Sequence, residues 1–201
     1  MINEIIKQKN LTLFLLINLV TLLRVPLIVI FIYNIINYFN FSNSSNGMIT
    51  IIVSICILFS DFIDGKLARK YKVTSNIGQN LDIYLDFIYI ISGVIILSLY
   101  NQLDYYFDIV IVYKFLEFIV FSRVFRGKYQ CKKGNNYYYD LLGELVSASF
   151  YIVPLIVVSL RYFNCYYGTI IINIVVICIT IFTCISSIVK IIFIIKSYIL
   201  N

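Results

Sequence analysis

Long runs of Ile, Leu, Val, Phe and Tyr dominate the chain, and short polar stretches separate them. The runs approach about 20 residues, the length that a helix needs to cross the hydrocarbon core of a bilayer. A strand with one buried face would instead alternate apolar and polar residues. The pattern therefore predicts an all-α integral membrane protein, a bundle of about six transmembrane helices. We place these helices at residues 11–33, 48–66, 81–100, 105–125, 140–160 and 168–189.

The composition supports a membrane protein. The chain is 61% hydrophobic and only 13% charged, whereas soluble domains contain about 25% charged residues. The first apolar run is too long for the core of a signal peptide, and no small-residue cleavage site follows it, so we expect it to be retained as a helix. Residues 1–201 are predicted to form a single transmembrane domain without a sizeable extramembrane part.

Basic residues predict the orientation of the helices. They gather near the N-terminus, at 66–72 after the second predicted helix, and at 123–133 after the fourth. Because Lys and Arg accumulate in cytoplasmic connections, both termini are expected in the cytoplasm. The uncharged stretch 34–46 is expected to be a connection on the opposite side. Membrane orientation also accounts for the net charge of +6, so no nucleic-acid partner is expected.

The residue types exclude two common kinds of catalytic site. The chain has no histidine, and its five cysteines show no C-x-x-C spacing. A zinc site and a Ser-His-Asp triad therefore cannot be assembled. The cysteines are expected to act as small apolar packing residues.

Two pairs of aspartates mark the candidate site. Asp61 and Asp64 end the second predicted helix, and Asp82 and Asp86 begin the third, so each pair shares one helix face. Counted from the outer helix ends, Asp64 and Asp86 lie at depths of roughly 24 and 21 Å. Four carboxylates at one level inside a membrane would repel one another unless cations held them. The arrangement predicts a two-metal site for Mg²⁺ or Mn²⁺.

Small residues and an arginine lie between the two aspartate pairs. Gly65, Ala68 and Gly78 would let a ligand approach the backbone closely, and Arg69 can hold a phosphate through two hydrogen bonds. Together with the carboxylates they indicate a pyrophosphate bound on two metal ions. The sequence contains neither a P-loop nor a G-x-G-x-x-G motif.

These residues resemble the signature of a known enzyme family. The run Asp61-x2-Asp64-Gly65-x2-Ala68-Arg69-x8-Gly78-x3-Asp82-x3-Asp86 resembles, at every fixed position, the motif of the CDP-alcohol phosphatidyltransferases. In the first predicted helix, Asn18, Thr21, Arg24 and Pro26 are similar to the Asn/Thr/Arg/Pro pattern of that family.

The resemblance implies a six-helix membrane enzyme, often a homodimer, that acts in phospholipid biosynthesis. Such an enzyme breaks the pyrophosphate of a CDP-linked lipid such as CDP-diacylglycerol, joins the lipid phosphate to a small alcohol and releases CMP. By this resemblance Asp61, Asp64 and Asp82 are metal ligands, and Asp86 is the general base and in part a ligand. The implied CDP-binding residues are Gly65, Ala68, Arg69, Gly78, Asn18 and Thr21.

The acceptor alcohol stays open at the level of sequence. Residues 81–87 match neither the form associated with glycerophosphate-using members nor the form common in serine and inositol members. Glycerol 3-phosphate is one lead, because cations near the site could bind its phosphate; serine, an inositol phosphate, or a diacylglycerol acceptor with a CDP-amino-alcohol donor are others. Candidate residues of the acceptor pocket are Arg24, Lys114, Glu117 and Arg123.

Two alternatives accompany this interpretation. Lys114 and Glu117 lie three residues apart in the middle of a predicted helix, so they could simply neutralise each other. Intramembrane carboxylates also occur in cation or proton transporters. For the enzyme, the charge pattern and helix depths predict a site that opens to the cytoplasmic leaflet.

Overall fold

The computed structural model describes the backbone of residues 2–71, 76–125 and 141–199, and most side chains of 22–63, 80–121 and 142–192. The described residues form six α-helices and no strand, which confirms the all-α prediction. The helices are α1 (Ile2–Phe41), α2 (Ser44–Tyr71), α3 (Asn76–Leu99), α4 (Tyr105–Phe125), α5 (Leu141–Tyr162) and α6 (Gly168–Ile199).

Five helices are long and apolar enough to cross a membrane within the part of the chain that the structure describes. The protein is therefore a multi-pass membrane protein. Helix α4 differs from these five because it carries Asp108, Lys114 and Glu117 along its length. The five candidate spans are Leu22–Phe41, Ser44–Ile63, Asn80–Leu99, Leu145–Tyr162 and Gly168–Ile192.

The connection between the first two helices is much shorter than the sequence pattern predicted. Residues 34–46 were expected to link them, but α1 continues to Phe41 and α2 begins at Ser44. The prediction was wrong because Asn34 and Asn40 form side-chain hydrogen bonds while they remain within α1. Asn34 Nδ2 donates to the Ile30 carbonyl oxygen at 2.8 Å, and Asn40 Oδ1 accepts from the Tyr100 hydroxyl at 2.7 Å.

Helices α1, α3 and α5 approach one another closely in the middle of the bundle. The rings of Phe31, Tyr89 and Tyr151 form a continuous row of tilted contacts across them, with centroids 5.0 and 4.9 Å apart. A Cβ atom at Gly93 would lie 2.9 Å from Pro154 Cγ and 3.2 Å from Phe31 Cζ. This close approach places α5 directly beside the faces of α1 and α3 that carry the candidate site.

The remaining helices enclose this centre. Helix α2 packs against α1 and α5, while α4 packs against α3, and α6 packs against α4 and α5. Many Ile, Leu and Val side chains on the outer surface of the bundle are exposed, as expected where lipid rather than water is the solvent.

Candidate active site

The candidate site lies at one level of the bundle. Asp61 is about 26 Å from the beginning of α2, and Asp86 is about 20 Å from the end of α3, at the helical rise of about 1.5 Å per residue. Arg24 is likewise about 26 Å from the end of α1. Since the connections at these ends are short, the three helices bring these side chains to similar depth.

The carboxylates converge as the sequence predicted for three of the four aspartates. One oxygen each from Asp61, Asp82 and Asp86 lie within 4.8 Å of one another. Asp82 and Asp86 are one turn apart on α3 and so project from one face, and Asp61 reaches them from α2. The side chain of Asp64 lies outside the described residues.

Arg24 binds this carboxylate cluster, defined as Asp61, Asp82 and Asp86, from α1. Its Nη1 atom lies 2.7 Å from Asp86 Oδ1 and 2.9 Å from Asp82 Oδ1. Its Nη2 atom lies 3.4 Å from Asp61 Oδ1. The arginine is completely buried. The sequence analysis suggested Arg24 for an acceptor pocket, and the structure places it in the centre of the candidate metal site.

The residues present fit a divalent metal ion. The cluster offers only carboxylate oxygens, which are the ligands that Mg²⁺ and Mn²⁺ prefer. One guanidinium carries a single positive charge and contacts three carboxylates, so it cannot neutralise them alone. The side chains of Asp61, Asp82 and Asp86 keep 42, 39 and 27% of their surface accessible, so an ion could reach them.

Tyr151 joins the site from α5, and the sequence analysis missed it. Its hydroxyl is buried and has no hydrogen-bond partner among the described residues. This hydroxyl interacts electrostatically with Asp86, Arg24 and Asp61. As one of 18 tyrosines, Tyr151 has no distinguishing neighbour in the sequence, and only the packing of α5 reveals its place.

Lys114 and Glu117 form a second polar cluster, between α4 and α6. Lys114 Nζ lies 3.1 Å from Glu117 Oε2 and donates to Ser186 Oγ at 3.0 Å. The Glu117 carboxylate also accepts a hydrogen bond from the Ser187 hydroxyl, and it forms an ion pair with Lys190 Nζ at 3.2 Å. The mutual neutralisation of Lys114 and Glu117 is therefore present, while their role in an acceptor pocket stays a prediction. The sequence analysis did not anticipate that Lys190 points inward.

Helix α3 contacts α1 and α4 through different residues. The ring of Phe87 stacks on Phe115 of α4 with centroids 3.7 Å apart. Asp82 and Asp86 instead contact Arg24 of α1. Lys114 and Glu117, on α4, contact residues of α6.

Several predicted site residues have side chains that the structure does not describe. Gly78 is described and lies in the first turn of α3, one turn before Asp82. The proposed roles of Gly78 and of the others stay predictions. The side chains outside the described residues are those of Asn18, Thr21, Asp64, Gly65, Ala68, Arg69 and Arg123.

The fold and the site together define a multi-pass membrane protein whose helices bring acidic groups that could hold a metal ion, and a buried arginine, to one level. The sequence model of the CDP-alcohol phosphatidyltransferase family matches residues 14–185, and the chain belongs to this family. Members are CDP-alcohol phosphotransferases and typically depend on a divalent metal, so the protein is an enzyme of that type. A comparison with curated protein sequences gives no match.

Proposed function

We propose that the protein transfers the phosphatidyl group of CDP-diacylglycerol to a small polar alcohol such as glycerol 3-phosphate and releases CMP, as a step of phospholipid biosynthesis. The observation that carries this proposal is the convergence of Asp61, Asp82 and Asp86 within 4.8 Å inside a membrane-spanning bundle. Membership of the family supports a CDP-alcohol donor and an alcohol acceptor.

In the proposed reaction Asp86 acts as the general base. The acceptor oxygen attacks the lipid-linked phosphorus, and its proton passes to the Asp86 carboxylate as the new P–O bond forms. The bond between this phosphorus and the bridging pyrophosphate oxygen breaks, and the electron pair leaves with CMP. Asp61, Asp64 and Asp82 are the proposed metal ligands, with Asp86 contributing in part.

Mg²⁺ or Mn²⁺ bound by these carboxylates would neutralise charge on the phosphoryl oxygens and on departing CMP. The proposed CDP-binding residues are Gly65, Ala68, Arg69, Gly78, Asn18 and Thr21. Their small side chains and the arginine suit a pyrophosphate held close to the backbone.

We further propose that the site opens to the cytoplasmic leaflet. The basic residues of 66–72 favour a cytoplasmic position for the end of the bundle that carries the carboxylates. The diacylglycerol chains could then stay in lipid while the polar acceptor and CMP exchange with water. A homodimer is the assembly that the family resemblance suggests.

The proposal is tested by measuring CMP release from CDP-diacylglycerol with purified protein and a panel of alcohols. The panel contains serine, glycerol 3-phosphate and inositol phosphate as acceptors for this donor. A separate reaction offers diacylglycerol as the acceptor and a CDP-amino-alcohol as the donor. We expect one acceptor to support turnover, EDTA to abolish it, and added Mg²⁺ or Mn²⁺ to restore it. Full activity after exhaustive chelation would contradict the metal-dependent mechanism.

The same preparation separates an enzyme from a transporter. Protein reconstituted into vesicles is assayed for divalent-cation flux, proton flux and CMP release. Flux without turnover of any CDP-lipid would favour the transporter and overturn the proposed transferase.

A further inference from the structure

The buried guanidinium of Arg24 contacts the same oxygens that a metal ion would use. The Nη1 atom is within 2.9 Å of one oxygen of Asp82 and one of Asp86. A metal ion bound between these two oxygens would need this position. Since both are cations, they would also repel each other strongly at such a distance in a poorly solvated site.

We propose that Arg24 is a positioning residue that holds the carboxylate cluster together before metal binds, and that the first metal ion displaces it from Asp82 and Asp86. This inference rests on the proposed function, because it takes the cluster to be the metal site. It assigns Arg24 a role distinct from the acceptor pocket to which the sequence pointed.

The need for such a residue follows from the arrangement of the cluster. Three carboxylate oxygens within 4.8 Å repel one another in a membrane-spanning bundle. A planar guanidinium offers several donors in fixed directions, and here two of its nitrogens contact carboxylates from α2 and α3. Arg24 therefore stabilises the convergence of α1, α2 and α3 at the site.

The same contacts have a cost for metal binding. An ion that enters must break or share the contacts of Arg24, so part of its binding free energy is spent on displacing the guanidinium. Removing the arginine should strengthen metal binding, because a divalent ion carries twice the charge of the guanidinium and can itself draw the carboxylates together once its competitor is gone. If Arg24 only kept the ligands in place and did not compete with the ion, its removal would weaken binding.

The test is a Mn²⁺ titration of the full chain in nanodiscs without CDP-lipid. The electron paramagnetic resonance signal of free Mn²⁺ measures how much of the ion is bound. Arg24→Gln should bind Mn²⁺ at least about tenfold more tightly than the wild type. Arg24→Lys keeps the charge but lacks the planar fork, so its affinity should lie between the two. Arg161→Gln, which removes a cation at the end of α5 away from the cluster, should match the wild type.

A second measurement covers the case in which Arg24→Gln is unstable. Without the guanidinium, the carboxylates depend on metal for neutralisation, so Mn²⁺ should raise the Tm of Arg24→Gln more than that of the wild type. The inference would be overturned if Mn²⁺ raised the Tm of Arg24→Gln no more than that of the wild type. It would also be overturned if both Arg24 variants bound Mn²⁺ no more tightly than the wild type. Either result would leave metal binding by the wild type intact. Absence of Mn²⁺ binding in every variant would instead refute the metal site and the proposed function with it.

Discussion

Asp86 and Asp61 belong to the same cluster, but Asp86 is the proposed general base and Asp61 a proposed metal ligand. The two roles predict different effects of mutation. Asp86→Asn removes the proposed base, so kcat should fall by at least about 100-fold while binding of the CDP-lipid is largely kept. Asp61→Asn removes a proposed metal ligand and should weaken metal and donor binding together. Kinetics and Mn²⁺ titration of both variants provide the measurement. Equal loss of metal affinity in the two variants would contradict this assignment of roles.

The Tyr151 hydroxyl provides a second test at the scale of single residues. Tyr151→Phe keeps the ring in contact with Tyr89 and removes only the buried hydroxyl that interacts with Asp86. Because this hydroxyl interacts with the carboxylate that is the proposed base, kcat should fall about tenfold, which corresponds to about 1.4 kcal/mol, with the KM of the donor unchanged.

The matched control for Tyr151 is Tyr89→Phe. Tyr89 is completely buried in the same row of rings, but its hydroxyl interacts with Ser54. Its variant should therefore keep a kcat close to that of the wild type. A similar loss in both variants would show that removal of either buried hydroxyl lowers the rate, and that the Tyr151 hydroxyl has no specific role.

The sequence predicted the part of the site that depends on local spacing. The position of Asp82 relative to Asp86 follows from the helical repeat, and the meeting with Asp61 follows from two antiparallel helices of known depth. Tyr151 and Lys190 could not be predicted, because their partners Asp86 and Glu117 lie on helices distant in sequence. The rotation of α5 and α6 that directs them inward is set by packing.

The contacts of Arg24 with the carboxylates were not predicted, for a reason that belongs to the scale of the helix. A first helix at 11–33 would place Arg24 near the outer half of the membrane. The structure extends α1 to Phe41, which moves Arg24 to the depth of the carboxylates. The error arose because asparagines were interpreted as a loop, whereas Asn34 is buried and bonds to its own helix.

At two other helix ends, asparagine does mark the end of a helix. Asn101 and Asn164 follow α3 and α5 with φ values of 55 and 48°. After each, the next amide bonds back to the last turn, from Gln102 to the Leu97 carbonyl at 2.8 Å and from Cys165 to that of Leu160 at 3.1 Å. These are Schellman motifs, in which asparagine takes the left-handed position that glycine usually occupies.

The contact of α3 with α5 predicts a sensitive position at Gly93. Gly93→Ala would place a methyl group 2.9 Å from the rigid ring of Pro154, and such overpacking costs about 1–3 kcal/mol. This cost should exceed the gain of about 1 kcal/mol from the helix propensity of alanine. Thermal unfolding in detergent should give a lower Tm than the wild type.

Gly168→Ala is the control for this prediction. A Cβ atom at Gly168 would meet its nearest neighbour, Cys165 Cβ, at 3.6 Å, which is ordinary contact. The Tm of this variant should not fall. If Gly93→Ala unfolds at the same temperature as Gly168→Ala, then α3 and α5 are not in the close contact described here.

For the whole molecule, the orientation in the membrane is the property to test. With the five native cysteines replaced, a cysteine introduced at Ser75, in the connection from α2 to α3, should react with a membrane-impermeant maleimide only in inverted vesicles. A cysteine at the exposed Ser44 should react only in intact cells. The reverse pattern would overturn both the positive-inside assignment and the proposed access of substrates from the cytoplasm.

The three connections at the end of the bundle away from the carboxylates are all short. They consist of residues 42–43, 100–104 and 163–167, and hydrogen bonds between backbone groups close the last two. Proteases and tolerated insertions favour exposed loop tips, and these turns offer little chain to cut or to extend. Epitope tags and fused domains are therefore best attached to the opposite end. Antibodies raised against linear peptides should bind poorly to the end with the short turns.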